Sequence, residues 1–318
     1  MKAFVTGGAG FVGSNLVDRL LKLGHSVVAF DNLATGHERF LREALASPRG
    51  RLVRGDLLND KLLTDAMGGS DCVFHLAANA DVRHGLEHTR KDVDQNILAT
   101  FNVLEAMRAN GIRRLAFSST GSIYGEPAVF PTPEIAPFPI QTSLYGASKL
   151  AAEGLIHAYA EGFGWETYIF RFVSILGERY SHGHVFDFYG SLRRDPRELQ
   201  VLGDGHQRKS YLYVQDCLDA ILLAMEKAAD KVNVFNLGTN EHCEVRDSVN
   251  WICRRLGLDP KLTFTGGQRG WIGDSPFIFL DCRRIRDLGW TPSLTIEQAV
   301  IRTVDYLKAN AWLLETRS

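Results

Sequence analysis

The run Thr6-Gly7-Gly8-Ala9-Gly10-Phe11-Val12-Gly13 sets the strongest limit on what this chain can fold into. An apolar stretch, residues 2–6, leads into it. An amphipathic stretch, residues 15–23, leaves it with Leu16, Val17, Leu20 and Leu21 at helical spacing. Glycines spaced G-x-x-G-x-x-G (Gly7, Gly10, Gly13) let a strand turn sharply into a helix. Without β-carbons the backbone can also approach a pyrophosphate, and the N–H groups that open the helix face it.

Strand and helix signals then alternate. Strands over 26–30, 51–54, 72–76, 114–118 and 167–172 are interleaved with helices at 62–67, 96–109 and 145–160. Such alternation means parallel pairing through right-handed crossovers, so the expected fold is an α/β, Rossmann-type doubly wound parallel sheet. The second half changes character. Pro- and Gly-rich loops at 126–139, 203–205 and 265–276 separate helices at 216–227 and 246–256 and a strand at 233–237. The expected division is a dinucleotide-binding domain at 1–173, with 212–239 returning to it. A smaller mixed α/β substrate-binding lobe then takes 174–211 and 240–318.

Asp31 ends the second strand, eighteen positions after Gly13. A carboxylate there accepts hydrogen bonds from a ribose diol and repels a 2′-phosphate. Asn32 and Leu33 follow it rather than an arginine, so the expected cofactor is NAD and not NADP. Phe11 and Val12 in the turn, Asp56 and Leu57 after the third strand, and Leu76, Ala77 and Ala78 after the fourth join Gly7, Gly10 and Asn32 as cofactor-site candidates. Asp56 reads either as an acceptor for the adenine amine or as a helix N-cap. Asn96 reads either as a buried structural amide or as part of a proton relay.

A second pattern is Tyr145-Gly146-Ala147-Ser148-Lys149. Tyrosine and lysine four apart share a helix face. A nearby ammonium favours phenolate over phenol, which would bring the tyrosine from about 10 toward working pH as a general base. Ser118-Ser119-Thr120 at the end of the fifth strand can add a hydroxyl to a substrate oxygen.

Composition excludes other classes. With 37 acidic and 36 basic residues the net charge is −1, so no global basic field favours nucleic acid or an anionic membrane. No run approaches the ~20 apolar residues of a membrane span, and the start is too short an apolar run for a signal peptide. Five widely spaced cysteines without C-x-x-C read as reduced thiols of a cytoplasmic protein. His182 and His184 flank Gly183 but lack a third ligand nearby, so no metal is expected.

Taken together, the glycine turn, Asp31, His75-Leu76-Ala77-Ala78, Thr120 and Tyr145/Lys149 resemble the extended short-chain dehydrogenase/reductase family. The resemblance continues through residues 203–214, Asn236-Leu237-Gly238 and Arg269-Gly270-Trp271-Ile272-Gly273-Asp274. Within that family the chain is most similar to the NAD-dependent nucleotide-sugar enzymes, and among them to the isomerases that interconvert UDP-glucose and UDP-galactose at C4. Dehydratases and decarboxylases of the family carry a glutamate where Ser122 stands, and dehydratases an aspartate where Gly121 stands. The 3,5-epimerases and fucose synthases carry a cysteine at the Ser122 position.

The resemblance therefore implies transient oxidation of a UDP-hexose at C4, with Tyr145 as base, Thr120 on the 4-oxygen and Lys149 on the nicotinamide ribose. The alternatives are an epimerase of a UDP-N-acetylhexosamine or UDP-glucuronate, or a nucleotide-sugar dehydrogenase or reductase. It implies Arg269 as a diphosphate contact, with Ser122, Ser174, Tyr211 and Asp274 as further substrate residues. Lys209 is either a diphosphate contact or a solvated lysine. Tyr211 or Val185 either lines the nucleobase or packs in the core. Asp216 reads as a helix-start residue. Relatives usually have asparagine where Ser174 stands, and Ile278 matches a position whose size is associated with admitting acetylated sugars. A homodimer through the helices 86–109 and 145–162 is also implied.

Overall fold

The computed structural model describes residues 1–79, 85–137, 140–271, 273–275 and 277–316. Pro139, Ile272 and Pro276 of the expected loops and motif lie outside the described residues.

Six strands come from the first half: β1 (Lys2–Thr6), β2 (Ser26–Asp31), β3 (Gly50–Arg54), β4 (Cys72–His75), β5 (Arg114–Thr120) and β6 (Glu166–Phe172). With Val232–Leu237 they form a seven-stranded sheet in the order Val232–Leu237, β6, β5, β4, β1, β2, β3. Every pairing in it is parallel. The order reverses between β1 and β4, so the carboxyl ends of these strands open a crevice. Residues 232–237 thus rejoin the sheet, as expected.

Alternation along β1 explains why both faces are covered. Ala3 and Val5 pack with Leu16, Leu20, Ala29 and Phe74 on one side. Phe4 faces the other side with Phe30, Val73, Met107 and Ile156. A third core cluster crosses the expected domain boundary. It joins Phe11 of the glycine turn and Phe40 to Val185, Tyr189, Val249, Val300 and Leu307. Val185 is therefore core, and the nucleobase alternative for it is set aside.

The helix of the Y-x-x-x-K pattern runs Leu144–Phe163. Ser143 caps it by accepting from the Gly146 N–H at 3.0 Å, and Gly164, in the left-handed region at φ +67°, ends it. The expected helix at 96–109 begins earlier, as Thr89–Asp92 followed by the π-helical Val93–Leu98 and then Ala99–Ala109. The helix after β3 is Asp60–Met67, and its cap is Asn59, which accepts from Leu62. Asp56 is not that cap. Its Oδ1 accepts from Leu58 N–H and its Oδ2 from Asn32 Nδ2, both at 2.9 Å. Asp216 lies in the first turn of Val214–Lys227 and accepts from Ser293 Oγ at 2.6 Å.

Three small sheets escaped the sequence reading. Ser174–Leu176 pairs with Tyr211–Tyr213, and Glu198–Val201 with Lys261–Phe264. Arg208–Lys209 lies between Cys243–Glu244 and Phe277–Ile278. Helices His184–Arg194 and Ile296–Ala309 were also missed. No helix among the described residues is long and apolar enough to cross a membrane.

Candidate active site

A cavity of about 970 Å³ runs from the glycine turn to the small sheets. Its first half is built by the carboxyl ends of β1, β2, β4 and β5. Gly7 has φ +66°, and a β-carbon on it would meet Ala77 N at 2.8 Å. A β-carbon on Gly13 would lie 2.0 Å from Gly7 O. Both positions therefore require glycine, and the turn they permit leaves Gly7, Gly10, Phe11 and Val12 on the wall. Phe11 also meets Tyr180 edge-on, with ring centroids 5.5 Å apart.

Asp31 lines the same half and is 8% exposed. Its Oδ2 accepts from Ala9 N–H at 2.9 Å and its Oδ1 from Leu33 N–H at 2.8 Å. Burial raises its carboxyl above the usual range, and these bonds and His37 oppose the shift. Asn32, Leu57, Leu76, Ala77 and Ala78 also line it. Asp56 does not, but its Oδ2 accepts from Asn32 Nδ2, which does. Asn96 does not line it either. Its side-chain amide donates to Ser148 Oγ at 2.9 Å, Asn79 O at 3.2 Å and Asp92 Oδ1 at 3.2 Å, and accepts from Asn79 N–H at 2.8 Å. Asn96 is buried and ties the turn after β4 to the Tyr145 helix. The cradle and the carboxylate fit a dinucleotide with a free ribose diol.

Thr120, Ser122, Tyr145 and Lys149 meet in the middle of the cavity. Ser122 N–H donates to Thr120 Oγ1 at 3.1 Å, and the Thr120 hydroxyl donates to Ser122 Oγ at 3.2 Å. Lys149 is 2% exposed, with its amine 4.0 Å from the centroid of the Phe117 ring. Burial lowers that amine to about 7, against the pull of Glu153. Desolvation raises the Tyr145 phenol to about 12. Thr120 works against the rise and buried Asp92 adds to it. The expected depression of the phenol by Lys149 is therefore not a property of the protein groups alone. Desolvation of the phenol outweighs a lysine whose own charge burial disfavours.

The second half is walled by Ser174, Ile175, His182, His184, Lys209, Tyr211, Trp271, Asp274 and Ile278. Tyr211 is 3% exposed and lies against His184, ring centroids 4.6 Å apart. His184 also pairs with Ser248 Oγ at 2.8 Å. Among the described residues no group of three or more His, Cys, Asp or Glu could hold a metal.

Lys209 is not a free solvated lysine. Its Nζ donates to Asp274 Oδ1 at 2.6 Å and to Ser275 O. Asp274 Oδ2 accepts from Gly270 N–H at 3.0 Å, so one carboxylate ties the lysine to the loop. Arg269 does not line the cavity. It pairs with Glu126, both side chains about half exposed. The sequence reading also missed Gln95, Asp187, Phe188 and Gln200 on the wall. They lie in elements it had not placed or on faces that no motif marks.

The NAD dependent epimerase/dehydratase family matches residues 3–238. The UDP-glucose 4-epimerase of Mycolicibacterium smegmatis is 31% identical over 97% of this chain and 99% of its own length. A crystal structure of a UDP-galactose 4-epimerase is 36% identical, with a TM-score of 0.88 over 98% of this chain and all of that one. A UDP-glucuronic acid 4-epimerase of Bacillus cereus, solved with UDP-glucuronic acid and NAD, is 27% identical, with a TM-score of 0.90 over 98% of this chain. This chain is a member of the NAD dependent epimerase/dehydratase family.

Proposed function

We propose that the chain is a UDP-hexose 4-epimerase that interconverts UDP-galactose and UDP-glucose. The observation that carries this reading is the makeup of the cavity's centre. Thr120, Tyr145 and Lys149 stand together there, and the adjoining positions are Gly121 and Ser122, neither of which is an acid or base for elimination. The likeness to UDP-glucose and UDP-galactose 4-epimerases over almost the whole chain supports the hexose.

Bound in this cavity, NAD supplies a hydride acceptor for C4 and, when oxidised, a positive charge that favours phenolate. Gly7, Gly10 and the helix start hold its pyrophosphate, and Asp31 its adenosine ribose. Tyr145 removes the proton of the sugar 4-hydroxyl and later returns it. Thr120 holds the 4-oxygen through both steps. Lys149 holds the nicotinamide ribose and stabilises the phenolate. Lys209, Tyr211 and Ser174 anchor the nucleotide, leaving the 4-ketose free to turn and present its other face. Arg269 joins them only if it leaves Glu126.

Two further readings accompany this one. Residues 174–211 and 240–318 act as the substrate lobe. Exposed Leu98, Phe101 and Phe163 on the two long helices support a homodimer.

A proton NMR time course on UDP-galactose tests the function. Growth of the UDP-glucose anomeric signal without stoichiometric NADH is expected. No change with UDP-galactose, but turnover of UDP-glucuronate or UDP-N-acetylglucosamine, would overturn the hexose.

A further inference from the structure

The helix Leu144–Phe163 carries Tyr145, Lys149, Glu153 and His157 at successive four-residue steps. The first two line the cavity. Glu153 does not. It is 1% exposed, and two strands donate to its carboxylate. Ser119 on β5, the neighbour of Thr120, donates to Oε1. Arg171 on β6 donates from Nε to Oε1 at 3.2 Å and from Nη2 to Oε2 at 2.7 Å.

The network continues past Arg171. Its Nη1 donates to the Tyr124 hydroxyl and to Glu134 O, each at 2.8 Å. Tyr124 donates to Asn236 Oδ1 at 2.8 Å, and Asn236 Nδ2 donates to Thr132 O at 2.9 Å and Asp281 O at 3.1 Å. An unbroken buried chain therefore runs from beside Thr120 to the residues just after Ile278, another cavity residue. A buried ion pair is a poor way to gain stability, because desolvation offsets its attraction. It is a good way to fix geometry, since each partner has few satisfactory positions.

We propose that Glu153 is a positioning residue for the Tyr145, Lys149 and Thr120 group. It sets how the helix sits on β5 and β6, and its charge, one turn beyond Lys149, favours the protonated form of that buried amine. The proposal rests on reading those three residues as the catalytic group. Glu153 is faced by Lys149 and His157 from its own helix, by Ser119 from β5 and by Arg171 from β6. His75 on β4 faces Lys149, and Glu134 faces Tyr124.

Glu153→Gln in the NAD-loaded enzyme tests it, beside Glu153→Asp and Tyr145→Phe. Glu153→Gln is expected to keep NAD and to hold KM for the UDP-sugar within about twofold. Its kcat should fall by about ten- to a hundredfold, the cost of small displacements at a reacting centre. The alkaline limb of its kcat profile should move to lower pH, because Lys149 loses its proton more readily. Glu153→Asp keeps the charge on a shorter arm, so it should restore the limb but not the full kcat. If Glu153→Gln does not fold, the Asp variant carries the test, and parental kcat and limb in it overturn the proposal. Parental kcat and pH profile in Glu153→Gln overturn it as well. If Tyr145→Phe retains turnover, the catalytic reading itself fails, so the two failures are distinguishable.

Discussion

Asp31 Oδ2 accepts the Ala9 N–H at 2.9 Å, so the carboxylate that ends β2 also holds the glycine turn that follows β1. One side chain thus both shapes the glycine turn and lines the cavity, and on the proposed reading it meets the adenosine ribose there. Asp31→Ala should lose both functions. We expect its Kd for NAD to rise roughly thirtyfold, about 2 kcal/mol, with a smaller change in kcat at saturating NAD. Titration calorimetry checks this, and unchanged affinity would remove the ribose assignment. The ionised carboxylate is the acceptor and its pKa is raised by burial. NAD affinity should therefore weaken as pH falls, at a higher pH than an ordinary aspartate would cause.

Lys149 carries a cost to the fold. Its amine is lowered to about 7, whereas an unfolded lysine titrates near 10.5. Between these values the unfolded chain holds a proton that the folded chain does not. The NAD-free protein should therefore gain stability as pH rises through that window. Lys149→Met should abolish turnover yet stabilise the NAD-free fold at pH 6 by about 2 kcal/mol, and by less at pH 10. Urea unfolding at both pH values measures this, and an equal effect at the two would contradict it.

Arg171 and Glu153 are 3% and 1% exposed at the side chain. Removing one partner leaves a buried, uncompensated charge. Arg171→Met should cost about 3–5 kcal/mol in denaturant unfolding. A loss below about 1 kcal/mol, the worth of a surface pair, would mean that the pair is hydrated in solution.

Lys209 reaches the cavity already paired with Asp274. A diphosphate there would share the ammonium with that carboxylate. Lys209→Ala should raise KM for the UDP-sugar roughly tenfold, with kcat changed much less, because the contact is to a part of the substrate that does not react. Steady-state kinetics decides, and a fall in kcat alone would place Lys209 in the chemistry.

Much of this was legible in the sequence where the cause is local. The glycine turn, Asp31 at the end of β2 and the Tyr145/Lys149 step each depend on residues close in the chain. The parallel sheet followed from alternation along it. What stayed hidden depends on distant partners. Arg269 looks like a phosphate contact until Glu126, 143 positions away, is seen beside it. Lys209 looks solvated until Asp274 closes on it. Strands of two to four residues, such as Ser174–Leu176 and Tyr211–Tyr213, have too little length to show a period and exist only through their pairing. Asp56 as an N-cap was undone three residues on by Asn59, an equally good cap. Glu153 had a signal, its four-residue step from Lys149, but nothing in the sequence says that Arg171 meets it.

The central claim is hydride removal and return at C4 of a UDP-hexose. UDP-galactose carrying deuterium at C4 tests it most directly, with the product read by NMR and mass spectrometry. The account predicts UDP-glucose that retains deuterium at C4, with no exchange into solvent and no build-up of NADH. Loss of the label to water, or one NADH formed per sugar consumed, would contradict it.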